Sequence, residues 1–254
     1  PGTCIHRVHQ ESIAATSPDY FAPYKVQAWD KIPDGQKDAN GAYYADYTGI
    51  MSIGWNADKY GDISSLDDLL DPKFAGTVAL NGKPAEAGAA FNGYLMANQL
   101  AGGDINNLQP GLDFFKKLQE AGNLTTVDVT NGTIDSGQTG VVFDWTYNQA
   151  SYKKELKDKG VNWKYKTFPK AQEVSYYNQA INKDAPHPAA ARLWEEYLYT
   201  ADAQNLWFKG GANPVLLDSM KEDGTVDQAT LKDAITIEGE PVSYTNDDST
   251  RITE

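Results

Sequence analysis

The chain has 254 residues, 41% of them hydrophobic, and a formal net charge of −13 at pH 7. This length suits one large domain or two lobes of roughly 100–150 residues each. An acidic surface repels nucleic acid and anionic lipid, so neither is expected as a partner. The sequence has no run of 18 or more apolar residues, and its one cysteine excludes a disulfide framework and a cysteine-rich metal site.

Strands and helices are predicted to alternate along the chain. In the first half, strands are predicted over 42–56 and 77–80, and helices over 64–71, 84–101 and 110–121. In the second half, strands are predicted over 139–145, 161–168 and 176–181, and helices over 147–159 and in two segments after 187. Prolines at helix starts and glycines after helix ends set these boundaries. The alternation predicts an α/β protein with mainly parallel sheets.

One stretch has a distinctive amino-acid sequence: the segment from Tyr176 to Val215 reads YYNQAINKDAPHPAAARLWEEYLYTADAQNLWFKGGANPV. It resembles the return into the first lobe of extracellular solute-binding proteins that serve ABC importers, in the iron(III)/polyamine-type branch. The resemblance extends over about 20–245. It implies a two-lobed α/β fold of the periplasmic-binding-protein type II, with the ligand cleft between lobes that two hinge crossings join.

The resemblance also implies a division of the chain. The crossings are expected near 77–81 and 176–182, so that lobe one comprises 1–79 and 178–254 and lobe two comprises 80–177. Family members carry a strand, a helix and a second strand before the point that matches Tyr20, and the residues before 18 resemble none of these. We therefore expect a longer natural protein, with further parts of lobe one and a closing helix that starts near 246.

Function and location follow from the same resemblance. It implies a monomer that captures a small polar solute by hinge closure and delivers it to the membrane subunits of an ABC permease. The implied location is the periplasm or the extracellular space, with any membrane anchor in a segment outside this sequence. The motifs GxSxG, Walker A and HExxH are absent, and so is GxGxxG after a strand, so we expect no enzyme, no catalytic residue, no metal site and no cofactor.

The first candidate site follows the predicted strand over 139–145. Asp144, Trp145 and Tyr147 lie at its carboxyl end, which in open α/β sheets faces the ligand crevice. A carboxylate with aromatic faces beside it suits an ammonium group. The alternative is that Asp144 or Thr146 caps the next helix and that Trp145 packs into the core.

Five more residues complete the predicted ligand site. Tyr44, Asp46 and Tyr47 belong to an aromatic run whose family counterpart lines the cleft, and Tyr177 lies on the second crossing. Glu86 lies at the start of the predicted helix 84–101, where it would leave a carboxylate for a cationic ligand. The alternatives are cross-strand packing for the tyrosines and a favourable first-turn position for Glu86.

The expected ligand is an amine-bearing cation such as a polyamine. Iron(III) or a phosphate- or phosphonate-bearing solute is the alternative, since Tyr176-Tyr177 offers phenolates and Lys83 lies beside a predicted helix start. The iron binders of the branch carry their tyrosine pair after the strand that corresponds to 139–145, where this chain has no such pair. A different class, suggested by 6 Trp and 15 Tyr, is a secreted carbohydrate-binding or glycoside-acting protein.

Overall fold

The structure, a computed structural model, describes residues 4–9, 18–238 and 241–242. The chain folds into two compact units. Of the described residues, unit 1 contains 4–9, 18–49 and 175–236, and unit 2 contains 50–174, 237–238 and 241–242. The closing helix expected near 246 and the atypical start over 10–17 lie outside the described residues.

The described residues form seven strands and nine α-helices. The strands are β1 Cys4–His9, β2 Tyr44–Asn56, β3 Val78–Leu80, β4 Val141–Trp145, β5 Trp163–Lys166, β6 Val174–Ile181 and β7 Asn213–Pro214. The helices are α1 Ala57–Tyr60, α2 Gly88–Leu100, α3 Gln109–Glu120, α4 Asn131–Asp135, α5 Thr146–Leu156, α6 Pro188–Leu198, α7 Ala201–Lys209, α8 Leu217–Glu222 and α9 Gln228–Asp233. Short 3₁₀ helices occupy Pro18–Tyr20, Trp29–Lys31, Asp34–Gln36, Asp67–Leu70, Pro72–Phe74 and Lys157–Lys159.

Unit 1 is built on the first half of β2. There β7 pairs antiparallel with β2, with Tyr47 opposite Pro214, and β6 pairs antiparallel with β1. The core of the unit joins side chains of β2 to the helices that follow β6. Its largest members are Tyr44, Leu198, Tyr199, Phe208, Leu216, Leu217 and Met220.

Helix α6 has an unusual distribution of side chains. Its buried face contains a carboxyl group, Glu195, beside Leu198, whereas Leu193, Trp194 and Tyr197 are exposed. The helix begins with Pro188 at its first position, where the missing proline N–H costs no hydrogen bond. The buried face also contains Ala191, so α6 keeps an apolar inner face and departs from an ordinary amphipathic helix by one buried acid and three exposed apolar side chains.

Unit 2 is built on the second half of β2. Here β4 and β5 pair antiparallel with β2, and β3 pairs parallel with β4. Helix α2 packs closely on this sheet at Gly93, because a Cβ there would lie 3.0 Å from Leu80 and 3.2 Å from Phe143. The fully buried core includes Met51, Ile53, Leu69, Phe74, Met96, Leu118, Val141 and Phe143.

Two sequence predictions about the architecture need correction. The sheets are not mainly parallel: four described strand pairs run antiparallel, and β3–β4 is parallel. Residues 50–79, predicted for lobe one, belong to unit 2 because the second half of β2 pairs with β4 and β5. Unit 1 resumes at Ser175.

Candidate functional site

Asp144 lies in β4, is fully buried, and accepts four hydrogen bonds through its carboxylate. Its Oδ2 accepts from Asn81 Nδ2 at 2.8 Å and from the Tyr152 hydroxyl at 2.9 Å. Its Oδ1 accepts from Asn148 Nδ2 at 2.9 Å and from the backbone N–H of Trp145 at 2.8 Å. We call the side chains of Asn81, Asp144, Asn148 and Tyr152 the Asp144 cluster.

The four hydrogen bonds favour the ionised form of Asp144. A protonated carboxyl offers fewer acceptor positions and needs an acceptor for its own O–H. Burial raises the pKa of Asp144, and the bonds from Asn148, Trp145, Tyr152 and Asn81 oppose that rise. In the part of the chain that the structure describes, no lysine or arginine forms an ion pair with this carboxylate.

Sequence order explains why these four side chains meet. Leu80 of β3 pairs with Phe143 of β4, so Asn81 and Asp144 follow side by side at the carboxyl ends of two parallel strands. Asn148 and Tyr152 lie in α5, four residues apart and therefore on one face of the helix. Asn81, Asn148 and Tyr152 are all partly exposed, in contrast to Asp144.

The other predicted residues of this segment lie elsewhere. Trp145 is buried in the core of unit 2, as the core-packing alternative predicted, and Tyr147 is partly buried against the same core. Helix α5 begins without a side-chain cap, so neither Asp144 nor Thr146 caps it. The hydroxyl of Thr146 instead accepts a 3.2 Å hydrogen bond from the backbone N–H of Ile50.

The loop before α2 corrects the placement of Glu86. Helix α2 begins at Gly88 rather than at Pro84, so Glu86 precedes the first turn. Gly82 has a φ of 100°, and a Cβ there would lie 2.6 Å from the Cβ of Ala87, which shows how tightly the loop turns back. Glu86 is exposed and pairs with Lys83 at 3.1 Å.

Asp46 is fully buried in unit 1 and is bound by three side chains. Its Oδ1 accepts from Gln204 Nε2 at 2.8 Å and from Trp207 Nε1 at 3.1 Å, and its Oδ2 accepts from Gln179 Nε2 at 3.1 Å. Burial raises the pKa of Asp46 to about 7, against the effect of these bonds. The carboxyl therefore ties β2 to β6 and α7.

Two predicted tyrosines lie beside Asp46 in an aromatic stack. Tyr47 stacks between Trp207 and Tyr177, with ring centroids 4.4 Å and 5.0 Å from its own. Tyr177 is partly exposed, whereas Tyr47 is buried. The structure thus brings Asp46, Tyr47 and Tyr177 together in unit 1.

Tyr44 lies in the core of unit 1. Its hydroxyl donates a hydrogen bond to the buried carboxyl of Glu195, and its ring packs edge-on against Trp29 and at 5.2 Å from Tyr199. These contacts give Tyr44 a structural role, as the packing alternative predicted, and its contact with a ligand stays a prediction.

Three members of the Asp144 cluster were missed by sequence reasoning. Asn81, Asn148 and Tyr152 were not among the predicted site residues. The signal for the last two was their spacing of four and eight residues from Asp144, which places them on one side of the helix that follows. The signal for Asn81 was its position directly after the neighbouring strand.

Comparison with known families decides the identity of the fold. A family model described as "Bacterial extracellular solute-binding protein" matches residues 13–234. The chain belongs to the bacterial extracellular solute-binding proteins. No curated protein sequence matches it. Membership indicates a periplasmic or extracellular location, and no helix in the described residues is long and apolar enough to cross a membrane.

Solved structures of other solute-binding proteins share the fold. The periplasmic binding protein AfuA of Actinobacillus pleuropneumoniae, with fructose-6-phosphate bound, matches with a TM-score of 0.72 and 17% identity over 100% of this chain and 81% of its own. Iron-bound HitA of Pseudomonas aeruginosa matches with a TM-score of 0.68 and 19% identity over 98% and 78%. PotD of Streptococcus pneumoniae, a spermidine/putrescine ABC transporter substrate-binding protein, matches with a TM-score of 0.67 and 14% identity over 94% of this chain and 78% of its own.

These matches establish the architecture and the general role. The α/β fold is that of periplasmic binding proteins, as predicted from the amino-acid sequence of 176–215. The protein is a substrate-binding component of the kind that serves ABC transport, and its family and these neighbours are binding proteins rather than enzymes. The structures of these neighbours contain bound solutes as different as iron and fructose-6-phosphate, so they do not identify the solute of this protein.

Proposed function

We propose that this solute-binding protein captures an amine-bearing cation such as a polyamine and hands it to the membrane subunits of an ABC permease. Units 1 and 2 would be the two lobes, and ligand binding would favour the closed form of the protein because the ligand has a higher affinity for it. No covalent chemistry is required.

The observation that carries the proposal is the uncompensated charge of Asp144. The carboxylate lies at the carboxyl end of a buried strand, where open α/β sheets bind ligands. Hydrogen bonds from neutral donors stabilise the carboxylate, but in the described part of the chain no basic side chain neutralises its charge. A cation brought to the partly exposed rim of the cluster gains from this charge, and an anion is repelled.

A phosphate- or phosphonate-bearing solute is the second candidate. Helix α2 has thirteen residues, begins without a side-chain cap and carries no acidic residue in its first turn. Such a helix start attracts anions, and Lys83 lies in the loop before it. We rank this candidate lower because Lys83 already pairs with Glu86.

Iron(III) has less support. Tyr176 and Tyr177 are consecutive in β6, so their side chains point to opposite faces of the strand and do not converge on one ion. Burial raises the pKa of Tyr176 to about 12, which disfavours the phenolate that iron(III) needs. The glycoside-acting alternative has no support from the family.

Titration calorimetry with putrescine, spermidine, ferric citrate and 2-aminoethylphosphonate tests the proposal. We expect the two polyamines to bind and the phosphonate and the ferric complex to bind at least tenfold more weakly. Asp144→Asn should weaken polyamine binding at least tenfold. Its matched control is Asp58→Asn, an exposed aspartate that also accepts a hydrogen bond from an asparagine side chain. Tight binding of the phosphonate or of iron without polyamine binding would reject the proposal.

A further inference from the structure

The Asp144 cluster has a defined orientation of donors and acceptors. Asn81 and Asn148 each donate through Nδ2 to Asp144, and Tyr152 donates through its hydroxyl hydrogen. Because a carboxamide carries its N–H₂ and its C=O on opposite corners, the Oδ1 atoms of both asparagines point away from the carboxylate. The Tyr152 oxygen, having donated its hydrogen, keeps its capacity to accept.

The cluster thus presents three neutral oxygens around one buried negative charge. The three side chains that bear these oxygens are partly exposed, and no described donor binds the Oδ1 atoms or the phenol oxygen. The asparagines also keep one N–H each. The carboxylate behind them opposes an anion at those groups, so the cluster favours a cation that donates hydrogen bonds.

The position of Tyr152 is fixed by packing. Its ring meets Trp163 edge-on at 6.1 Å between centroids, and the indole N–H of Trp163 donates a 2.8 Å hydrogen bond to Gln149. Gln149 in turn donates a 3.0 Å hydrogen bond to the carbonyl of Val142 in β4. The phenol is therefore held by the same strand and helix that carry the other members of the cluster.

The number of acceptors selects among cations. A primary ammonium group has three N–H donors and one positive charge, a protonated tertiary amine has one N–H, and a quaternary ammonium has none. Iron(III) prefers anionic oxygen ligands, which two amide oxygens and a neutral phenol do not supply. We propose that Asn81, Asn148 and Tyr152 form the subsite for a primary ammonium group, with Asp144 behind them as its counter-charge.

This subsite rests on the proposed function and makes it more specific. Polyamine binding alone requires only charge complementarity. The subsite requires in addition that each of the three oxygens accepts a hydrogen bond from the ligand. Conversion of the ligand amines to tertiary amines removes two of the three N–H donors of each and keeps the charge, so it separates the two statements.

Calorimetry on the unaltered protein with putrescine and N,N,N′,N′-tetramethylputrescine tests the subsite without a variant. We expect tetramethylputrescine to bind at least tenfold more weakly than putrescine. Equal affinities would overturn the subsite and leave the proposed function standing. If neither diamine binds while another solute does, both the subsite and the proposed function fail.

Two matched pairs of variants extend the test. Tyr152→Phe should weaken putrescine binding about tenfold and reduce the discrimination against tetramethylputrescine. Tyr165→Phe should do neither, although Tyr165 is a partly buried tyrosine that packs, like Tyr152, against the hydrophobic cluster that contains Trp163. Asn148→Ala should weaken putrescine binding similarly, and Asn162→Ala, which loses a surface bond to Asp58, should not. Full discrimination in folded Tyr152→Phe protein would contradict the role of the phenol.

Discussion

The side chain of Asn81 donates a 2.8 Å hydrogen bond to Asp144 and thereby joins the carboxyl ends of the parallel strands β3 and β4. Both residues follow the paired residues Leu80 and Phe143, so the bond is a direct consequence of strand register. The loop after β3 and the helix after β4 are thus fixed at one point. The candidate ammonium subsite is local to unit 2.

Asp144→Ala should destabilise the protein strongly. The substitution leaves the N–H of Trp145 and three side-chain donors without their shared acceptor, in a site where the carboxylate itself is fully buried. We expect the free energy of unfolding to fall by about 2–4 kcal/mol. Urea denaturation followed by circular dichroism measures it. Asp58→Ala, at the surface, should stay within about 0.5 kcal/mol of the parent protein, and a similarly small change in Asp144→Ala would show that the network is not formed.

The stability of the protein should decrease as the pH rises. Burial raises the pKa values of Glu173 and Glu195 to about 8 each, and no basic group pairs with either in the described residues. The unfolded chain loses these protons near pH 4.3. The unfolded state therefore binds fewer protons between about pH 4.3 and pH 8, and the free energy of unfolding falls across that range by up to about 1.4 kcal/mol per pH unit and group.

Urea denaturation at pH 5 and pH 8, at equal ionic strength, measures this loss. Glu173→Gln should reduce the pH dependence, because glutamine keeps the acceptor for the side chain of Gln99 and has no proton to lose. Glu222→Gln, at an exposed position, is the control and should leave the pH dependence unchanged. A protein that gains stability from pH 5 to pH 8 would contradict the burial of these acids in uncharged form.

Gly54→Ala should be destabilising although alanine is small. A Cβ at this position of β2 would lie 2.0 Å from Gln149 Oε1 and 2.8 Å from Trp163 Nε1. The glutamine must move, which breaks its bonds to Trp163 and Val142, and we expect a loss of about 2–4 kcal/mol. Thermal unfolding compares it with Gly35→Ala, where no atom lies within 4 Å. Equal melting temperatures for the two variants would contradict the close approach of α5 to β2.

Helix α6 offers a direct test of which of its faces is buried. Leu198 is 3% exposed and Leu193 is 72% exposed. We expect Leu198→Ala to lower the free energy of unfolding by about 2–5 kcal/mol and Leu193→Ala to change it by less than about 0.5 kcal/mol. Chemical denaturation of the two variants measures both values. A large effect of Leu193→Ala would mean that this leucine is covered in solution.

Most elements of the fold were accessible from the sequence because their signals are local. The apolar runs around Ile50 and Val141 predict the strands β2 and β4, and the stop signals at Gly122 and Gly160 end their helices as expected. Strand direction and unit boundaries are set by pairing between distant residues. For that reason the antiparallel partners of β2, and the transfer of 50–79 to unit 2, were not predictable from periodicity.

The candidate site was predicted in part. Asp144 stood out because an acid directly after a buried strand is conspicuous, and Asp46, Tyr47 and Tyr177 do meet in unit 1. Trp145 and Tyr44 lie in the cores of their units, because the face of a strand residue is set by the helices packed on it, and their contact with a ligand stays a prediction. Asn81, Asn148 and Tyr152 needed the register of β3 and the direction of α5, which only the folded chain supplies.

The central claim is that the protein binds a cation that bears a primary amine. The most direct measurement is mass spectrometry of the small molecules released when the protein, purified from its native source without added ligand, is denatured. We predict a stoichiometric solute that is cationic at neutral pH and gains mass on treatment with an amine-acylating reagent. A released sugar phosphate, phosphonate or ferric complex without a primary amine would contradict the account.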